Sequence, residues 1–369
     1  MKSVMFSLLL LLQAQLKAQE HYLLVGTYDS PRSEGIHVYR FNHEGVATEI
    51  SHTRVPNPSY LTTSADGRFV YAVLENADNG NGGEVASFSF NKTTGELTLL
   101  NRQRSGGDHP CYIEIDKTGK WVFVANYSSG TLAVLPVRND GSLGEAGTII
   151  RHEGSGPDST RQKSPHVHST VISADNKWLL VSDLGTDKMM IYGFDAKTGS
   201  LSPATKPSVS WLRAGPRHIV FHPTNRYAYM IGELTGVIIA YHYSNGTLDP
   251  FQKAVTLENG DQRFPGSADI CVSPDGKFLY ASNRGEINSI AIFRIGKKGS
   301  LTPVAYQSTL GKTPRNFNFD PSGKFLLAAN QNSDEIVVFN RNNKSGLLTD
   351  TGKRIAIGKP VCIKWISIK

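Results

Sequence analysis

A proline recurs seven times along this chain at the start of a similar apolar segment, and this repeat constrains the fold more than any other feature. The intervals between successive prolines are 46 to 55 residues. Each interval holds several short apolar runs separated by glycine turns, without the periodicity of an amphipathic helix. A repeat of roughly 40 to 50 residues with this content is typical of a β-propeller blade. The prolines are Pro58, Pro110, Pro165, Pro216, Pro265, Pro314 and Pro360.

Two turns recur within the repeats and predict four strands per blade. The first turn places a residue that tolerates positive φ directly before a Lys or Arg. It occurs six times, at Gly67, Gly119, Asn176, Asn225, Gly276 and Gly323. The second turn, between the third and fourth strands, occurs seven times, at Gly45, Gly95, Gly141, Gly199, Gly246, Gly299 and Gly346. Seven first strands therefore meet only six first turns.

The two ends of the chain account for the missing turn. Residues 360–366 read as a first strand without a successor, and residues 22–27 read as a second strand without a predecessor. Pairing of these two segments would close the ring and leave no open seam. The sequence thus predicts an all-β fold, a seven-bladed β-propeller of four-stranded antiparallel blades. We expect residues 19–369 to form this single domain, closed by its N- and C-terminal strands.

Residues 1–18 differ in composition from the rest of the chain. Lys2 precedes the apolar stretch 4–12, and the small residues Ala14 and Ala18 follow, which is the pattern of a secretory signal peptide. About nine apolar residues are too few for a membrane-spanning helix, which needs about 20. We expect cleavage near Ala18 and export, to the periplasm, with no membrane attachment afterwards. If the leader were not a signal, the protein would be cytoplasmic.

Charge, cysteines and motifs narrow the function classes. The formal net charge of +7 suits an anionic small molecule better than nucleic acid, since the basic residues are spread through turns and form no stripe. Cys111, Cys271 and Cys362 form no spaced pair and are expected to be buried, free thiols. No serine-hydrolase, zinc, phosphate-loop or dinucleotide motif is present, so no cofactor is predicted. A closed ring needs no partner for stability, and we expect a monomer.

Ionisable residues concentrate where two strands of each blade share one rim of the channel. The residues eight before the Gly or Asn of the first turn are Ser59, Cys111, His168, Arg217, Ala268 and Arg315. Those eight after it are Glu75, Tyr127, Leu184, Glu233, Arg284 and Gln331. Charged groups are costly to bury without partners, so this concentration predicts a ligand site at one mouth. An ion-pair network of Glu233 with Arg217 and Arg284 would give the same pattern.

Three histidines near this rim need separate interpretation. His166 lies two residues before His168, so on a regular strand both rings face one side. This is the spacing of a strand metal site, but no third ligand has an obvious position, and we expect hydrogen bonding or acid/base work with no metal. His218 follows Arg217 and is expected to face the opposite side, as a packed core histidine. Three arginines around one mouth indicate an anionic ligand.

Several of these motifs resemble one family, the seven-bladed propeller lactonases, which includes the bacterial propeller-type 6-phosphogluconolactonases. The resemblance covers residues 21–369. It is carried by Asn126-Tyr127-Ser128-Ser129-Gly130, Pro165-His166-Val167-His168, Gly215-Pro216-Arg217-His218, Glu233, Ser282-Asn283-Arg284-Gly285 and Thr313-Pro314-Arg315-Asn316-Phe317-Asn318-Phe319. The family is also similar to the fungal propeller cycloisomerases that close a carboxymuconate to a lactone.

The resemblance implies a carboxylic ester hydrolase that opens an anionic sugar lactone without a metal. Glu233 or His168 would be the general base and the other the proton donor, while Arg217 and Arg284 would stabilise developing charge. His166 and Arg315 would hold a phosphate or carboxylate, and the rim register adds Glu75 and Gln331 as substrate-binding residues. An export signal would favour an unphosphorylated lactone in the cell. The alternatives are a non-catalytic binding propeller and a lactonising cycloisomerase.

Overall fold

The computed structural model describes residues 20–77, 82–204, 208–209 and 212–368. The described residues form seven antiparallel sheets and contain no α-helix, which confirms the predicted class and blade number. Blade 1 joins the two ends of the chain, and blades 2 to 7 follow in chain order. Six sheets have four strands, and blade 4 carries an additional two-residue strand on its third strand.

The strands are given for each blade from the channel outward. Blade 1 comprises β29 (Pro360–Ser367), β1 (His21–Thr27), β2 (Ile36–Phe41) and β3 (Ala47–Thr53). Blade 2 comprises β4 (Tyr60–Thr63), β5 (Phe69–Leu74), β6 (Glu84–Asn91) and β7 (Glu96–Arg104). Blade 3 comprises β8 (Pro110–Ile115), β9 (Trp121–Asn126), β10 (Thr131–Pro136) and β11 (Thr148–Arg151).

The remaining four blades repeat this order. Blade 4 comprises β12 (Val167–Ile172), β13 (Trp178–Asp183), β14 (Lys188–Asp195) and β15 (Ser200–Pro203), with β16 (Ser208–Val209) added. Blade 5 comprises β17 (Pro216–Phe221), β18 (Tyr227–Gly232), β19 (Val237–Ser244) and β20 (Thr247–Val255). Blade 6 comprises β21 (Ser267–Val272), β22 (Phe278–Asn283), β23 (Ser289–Ile295) and β24 (Leu301–Ser308). Blade 7 comprises β25 (Pro314–Phe319), β26 (Phe325–Asn330), β27 (Glu335–Arg341) and β28 (Leu348–Ala356).

The predicted closure of the ring is confirmed. Strand β29 pairs antiparallel with β1, with Leu23 opposite Trp365 and Val25 opposite Ile363. The last strand of the chain therefore supplies the innermost strand of the blade that the first strands build. This pairing leaves the two chain ends in one hydrogen-bonded sheet and removes the open seam that a ring would otherwise have.

The core lies between adjacent blades, because the second strand of each blade is buried on both faces. Every residue of β22 and β26 is buried, whereas most residues of the outer strand β7 are not. Between blades 5 and 6, for example, Tyr229 packs with Leu279 and Phe293 in one cluster. Burial on both faces explains why these strands read as continuous apolar runs instead of alternating ones.

The turn residues adopt the backbone that the repeat predicted. Asn176 and Asn225 have φ of 60° and 55°, and the seven glycines of the second turn all have positive φ. Gly199 also packs closely, since a Cβ there would lie 2.4 Å from the Trp121 ring of the neighbouring blade. The glycine thus serves the turn and the contact between blades together.

The prolines mark the rim that carries the candidate site. Four of them are the first residue of an inner strand, while Pro58, Pro165 and Pro265 stand two residues before it. In five blades the residue before the proline has positive φ, and its carbonyl accepts a hydrogen bond from the first residue after the second strand. These bonded pairs are Lys359 with Tyr28, Asn57 with Glu75, His109 with Tyr127, Gly215 with Glu233, and Thr313 with Gln331.

All three cysteines are free; Cys111 and Cys362 are buried as expected, and Cys271 is half-buried. The described part of the chain contains no helix with the length and apolar character of a membrane span. The predicted signal peptide, residues 1–18, lies outside the described residues.

Candidate functional site

A β-bulge at the start of the inner strands presents the candidate residues to the channel. In blades 3, 4, 5 and 7 the register shifts by one residue, which leaves Cys111, His168, Arg217 and Arg315 opposite no partner. Blade 1 has the same shift at Val361. A bulge turns the extra residue out of the ladder and bends the strand. In these four blades, the residue eight positions before the Gly or Asn of the first turn is therefore the bulge residue.

Glu233 is the centre of the charged cluster. It follows β18, is buried, and its Oε2 receives Arg217 Nε at 3.2 Å and Arg284 Nη2 at 2.8 Å. Its other oxygen, Oε1, receives Arg161 Nη2 at 2.7 Å. Burial alone would raise the pKa of Glu233, but the three guanidinium groups outweigh it and lower the pKa to about 2. The ion-pair network that the sequence allowed is present, with one more arginine than predicted.

Arg217 and Arg284, the two arginines that belong to the blades, differ in their exposure to solvent. Arg217 is 2% exposed, and its Nη1 donates to the Ala268 carbonyl and to His218 Nε2. Arg284 keeps 16% of its side chain exposed, and its Nε donates to the Gly266 carbonyl at 2.7 Å. The guanidinium of Arg284 can therefore meet a ligand directly, while that of Arg217 supports the cluster from inside.

Arg161, the third arginine on Glu233, could not be identified from the repeat. It lies in the loop of residues 152–166 between β11 and β12, outside the strands. Besides Glu233, its Nη2 contacts the Tyr127 hydroxyl at 3.2 Å. One signal was available in the sequence: the interval from Pro110 to Pro165 is the longest of the repeats, at 55 residues, and the additional chain forms part of this loop.

His166 and His168 both contact the Tyr127 ring, by different routes. The strand begins only at Val167 and bulges at His168, so the alternation argument from sequence does not apply here. His166 stacks on Tyr127 at a centroid distance of 4.4 Å, and its Nδ1 donates to the Tyr127 carbonyl at 2.9 Å. His168 meets the same ring edge-on at 5.5 Å. Tyr127 was in the rim register but was not selected.

The environment of His168 keeps its imidazole uncharged. The residue is buried, with the Cys111 thiol 3.8 Å from Nδ1 and the His218 ring 5.5 Å away. Burial, and then the positive charges of Arg217 and Arg315, hold the pKa of His168 well below its ordinary value of 6.5. An uncharged imidazole is the form that can accept a proton.

His218 is buried and packs against the rings of Tyr60 and Tyr112, as expected of a core histidine, but its expected position on the face opposite Arg217 is wrong. The bulge at Arg217 removes the alternation, so both residues stand on the channel side and contact each other at 3.2 Å. Because Arg217 donates to Nε2, the Nδ1–H of His218 donates to Asp269 Oδ1, at 2.8 Å. Burial and Arg217 lower the pKa of His218 to about 4, although Asp269 opposes the shift. Asp269 in turn receives Asn316 Nδ2.

The remaining predicted residues, Arg315, Gln331 and Glu75, belong to blades 7 and 2. Arg315 stands over the Tyr28 ring at 5.3 Å, and the Tyr28 hydroxyl donates to Glu75 Oε2 at 2.8 Å. Gln331 follows β26 at the same rim, held by its backbone bond to Thr313; a role for its side chain stays a prediction. Tyr28 was missed because blade 1 lacks the first turn from which the other positions were counted.

The channel beneath the mouth has little free space. The bulge residues Cys111, Arg217, Arg315 and Val361 line a cavity there with room for about one water molecule. A ligand of sugar size must therefore sit above them, at the rim. A larger cavity of about 610 Å³ lies at the opposite end of the blades, around the first turns of blades 2 and 3. It contains none of the predicted site residues.

Among the residues that the structure describes, no group of three His, Cys, Asp or Glu side chains is placed to hold a metal ion. The Nδ1 of His166 is engaged with the Tyr127 carbonyl, so the His-x-His pair does not form a two-ligand face.

The chain is thus a closed seven-bladed propeller in which three arginines meet the buried carboxylate of Glu233. A family model described as "Lactonase, 7-bladed beta-propeller" matches residues 22–365. The chain therefore belongs to the seven-bladed β-propeller lactonases, and it is by class a lactone-hydrolysing carboxylic ester hydrolase.

Known relatives agree with this assignment. The 6-phosphogluconolactonase of Bacillus subtilis is 37% identical over 349 residues, which cover 93% of this chain and 97% of the relative. That of Formosa agariphila is 37% identical over 305 residues, covering 81% and 86%. Among solved structures, the periplasmic gluconolactonase of Pseudomonas aeruginosa matches with a TM-score of 0.91 and 36% identity, covering 95% of this chain and all of that one.

Proposed function

We propose that this chain hydrolyses an anionic sugar lactone at the rim of its channel, by acid/base catalysis that needs no metal, with 6-phosphogluconolactone as the first substrate to test. The observation that carries the proposal is the cluster of three guanidinium groups on the buried Glu233, near the uncharged imidazole of His168. The family relatives named for lactone hydrolysis support the reaction class.

The charge at the mouth favours an anionic substrate. The cationic side chains are Arg161, Arg217, Arg284 and Arg315, and the carboxylates are Glu75, Glu233 and Asp269. Four positive and three negative charges leave an excess of one positive charge (4 − 3) before a substrate binds. A phosphate or carboxylate on the lactone would neutralise this excess in a partly desolvated site, where charge-assisted hydrogen bonds are strongest.

Of the two candidate bases, we assign proton abstraction to His168. Glu233 is a weak base because its arginines hold the pKa at about 2, whereas His168 presents a neutral ring. The pKa of His168 is also low in the empty site, through burial and then Arg217, His218 and Arg315. A bound anion would offset those arginines and return the pKa of His168 toward the working pH, where a base is most effective.

In the proposed reaction, water attacks the lactone carbonyl carbon while His168 takes its proton. Arg284, with its exposed edge, stabilises the oxyanion that forms, and Glu233 fixes the positions of Arg284 and Arg217. The ring C–O bond then breaks, and the alkoxide takes the proton back from His168. The product is a hydroxy acid, which releases a proton to the solvent on ionising. No step uses a metal.

The decisive experiment follows acid release at constant pH from 6-phosphogluconolactone and from glucono-1,5-lactone. The wild type should exceed spontaneous hydrolysis on at least one of them, and His168→Ala should lose most of kcat, since a general base contributes about 10²- to 10⁴-fold. Activity should survive EDTA. Wild-type rates equal to the spontaneous rate on both lactones would refute the function, and an unchanged rate in His168→Ala would refute the assigned base.

We also propose export and a monomeric state. The apolar leader of residues 4–12 with small residues after it supports export, and a periplasmic relative exists in Pseudomonas aeruginosa. One chain completes the ring by itself through the β1–β29 pair. Fractionation of the expressing cells and N-terminal sequencing of the mature protein test the first proposal, and light scattering tests the second.

A further inference from the structure

The loop of residues 152–166, the Arg161 loop, places a third guanidinium on Glu233 from outside the ring. Arg217 and Arg284 belong to the blades and share one oxygen of Glu233, Oε2. Of the three arginines, Arg161 is the one on the other oxygen, Oε1, and it also contacts the Tyr127 hydroxyl. The Arg161 side chain is 38% exposed, against 16% for Arg284 and 2% for Arg217. Among these three guanidinium groups, a ligand in the mouth therefore has most access to Arg161.

Hydrogen bonds within the loop and to Leu184 hold the backbone around Arg161, in addition to the contact of its side chain with Glu233. Gln162, the next residue, is fully buried; its Nε2 donates to the Leu184 carbonyl at 2.8 Å, and its Oε1 accepts from the Asp158 backbone at 3.0 Å. Asp158 Oδ1 accepts from the backbone N–H groups of Thr160 and Arg161. The loop thus presents a preorganised guanidinium, which reduces the entropy lost when a ligand binds.

The donors of the cluster exceed what Glu233 can accept. Three guanidinium groups carry fifteen N–H donors in all (3 × 5), while a carboxylate offers about four acceptor positions. Backbone carbonyls use further donors of Arg217 and Arg284. For Arg161 the described contacts are Glu233 and Tyr127, both on Nη2. The rest of its planar fork can bind a second oxyanion in the two-point geometry that arginine favours.

We propose that Arg161 is the specificity residue of this site: it binds the anionic group of the lactone, a phosphate or a carboxylate, and shares its guanidinium between that group and Glu233. This inference rests on the proposed lactonase function and deepens it by naming the residue that selects charged over neutral lactones. A residue that only pinned its loop to the mouth would affect neutral and charged substrates alike.

The test compares three lactones that differ in charge: 6-phosphogluconolactone, glucarolactone, which carries a carboxylate, and the neutral glucono-1,5-lactone. Arg161→Gln should lower kcat/KM on both anionic lactones by about 10- to 150-fold, the factor expected for the loss of a charge-assisted hydrogen bond. The change on the neutral lactone should stay under about threefold. Arg161→Lys keeps the charge without the fork and should recover part of the loss.

Arg68→Gln is the matched control, because Arg68 is an exposed arginine paired with Asp66 in a first turn, at the opposite end of the blades. It should leave all three rates unchanged, and thermal unfolding should show that every variant is folded. Equal losses on charged and neutral lactones, or a wild type without preference for the anionic lactones, would overturn this inference alone. A wild type inactive on all three lactones would instead overturn the proposed function, and this inference with it. If Arg161→Gln does not fold, the same comparison with Arg161→Lys decides.

Discussion

Replacing Glu233 by Gln tests whether the arginine cluster depends on this one carboxylate for its stability. The pKa of Glu233 falls from an ordinary 4.5 to about 2. Since one pKa unit is worth about 1.36 kcal/mol, the ionised carboxylate contributes about 3 kcal/mol to the free energy of unfolding. Removing one partner of a buried ion pair costs about 3–5 kcal/mol by mutational experience. The two routes agree, because Gln would leave the buried Arg217 without its counter-ion.

The expected result is a lower melting temperature at pH 7. Unfolding entropies of about 2.1 cal/mol/K per residue, applied to 369 residues, give about 0.8 kcal/mol/K. A loss of about 3 kcal/mol therefore lowers Tm by about 4 °C. Glu335→Gln is the control, since Glu335 pairs with Arg354 at 3.9 Å on the surface; such pairs contribute about 0–1 kcal/mol, so Tm should change by about 1 °C or less. Calorimetry measures both variants.

The pH dependence gives a second reading of the same prediction. A carboxyl group whose pKa is lowered by folding stabilises the protein above its unfolded pKa, and that stability is lost as the pH falls through the folded value. The difference in stability between wild type and Glu233→Gln should thus be full above pH 4.5 and shrink toward pH 2. A variant that melts within 1 °C of wild type at pH 7 would refute the reasoning, as would a difference that grows on acidification.

Three further predictions concern the stability and burial of the fold. Gly199→Ala should destabilise the protein by about 2 kcal/mol or more, because φ is +73° and a Cβ would meet the Trp121 ring. The control Gly147→Ala, where a Cβ would have no atom within 4 Å, should be nearly neutral. Similar urea midpoints for the two variants would contradict this prediction. Asp183→Asn should cost about 1–3 kcal/mol, since its carboxylate holds His152 Nδ1 at 2.8 Å; an unchanged urea midpoint would count against it. Thiol titration of the native protein should label at most one cysteine, the half-buried Cys271, and rapid labelling of all three would contradict the described burial.

The repeat could be predicted from the sequence because each of its signals is local. A glycine or asparagine with positive φ needs only its own turn, and φ is positive at every turn position that was counted. The apolar inner strands could be identified for the same reason, since both of their faces are buried. Closure by residues 360–366 and 22–27 required one non-local step, the match between a strand without a successor and one without a predecessor. The structure confirms that step.

The site was predicted only where its residues obey the repeat. Counting from the first turn found His168, Arg217 and Arg315, but it could not show that each is a bulge, because a bulge is a relation between two strands. Hence the prediction that His218 faces the side opposite Arg217 was wrong. Tyr28 escaped because blade 1 has no first turn to count from. Arg161 lies in a loop outside the repeat, and no local pattern connects it with Glu233.

The side chains carried at the bulge level explain why the candidate site occupies only part of the ring. Every blade places a residue at this level, yet in blades 1, 2, 3 and 6 the residues are Val361, Ser59, Cys111 and Ala268, none of which is basic. In blades 4, 5 and 7 they are His168, Arg217 and Arg315. The bulge is thus a property of the fold, whereas the chemistry depends on which side chain each copy carries. Charge is concentrated toward blades 4 to 7, on the side where Glu233 and Arg284 end their strands, and the Arg161 loop enters next to blade 4. Under the proposed mechanism, a substrate that binds there would meet its base, its oxyanion donor and its anion receptor from different blades and one loop, so changing any one of them would alter specificity without altering the ring.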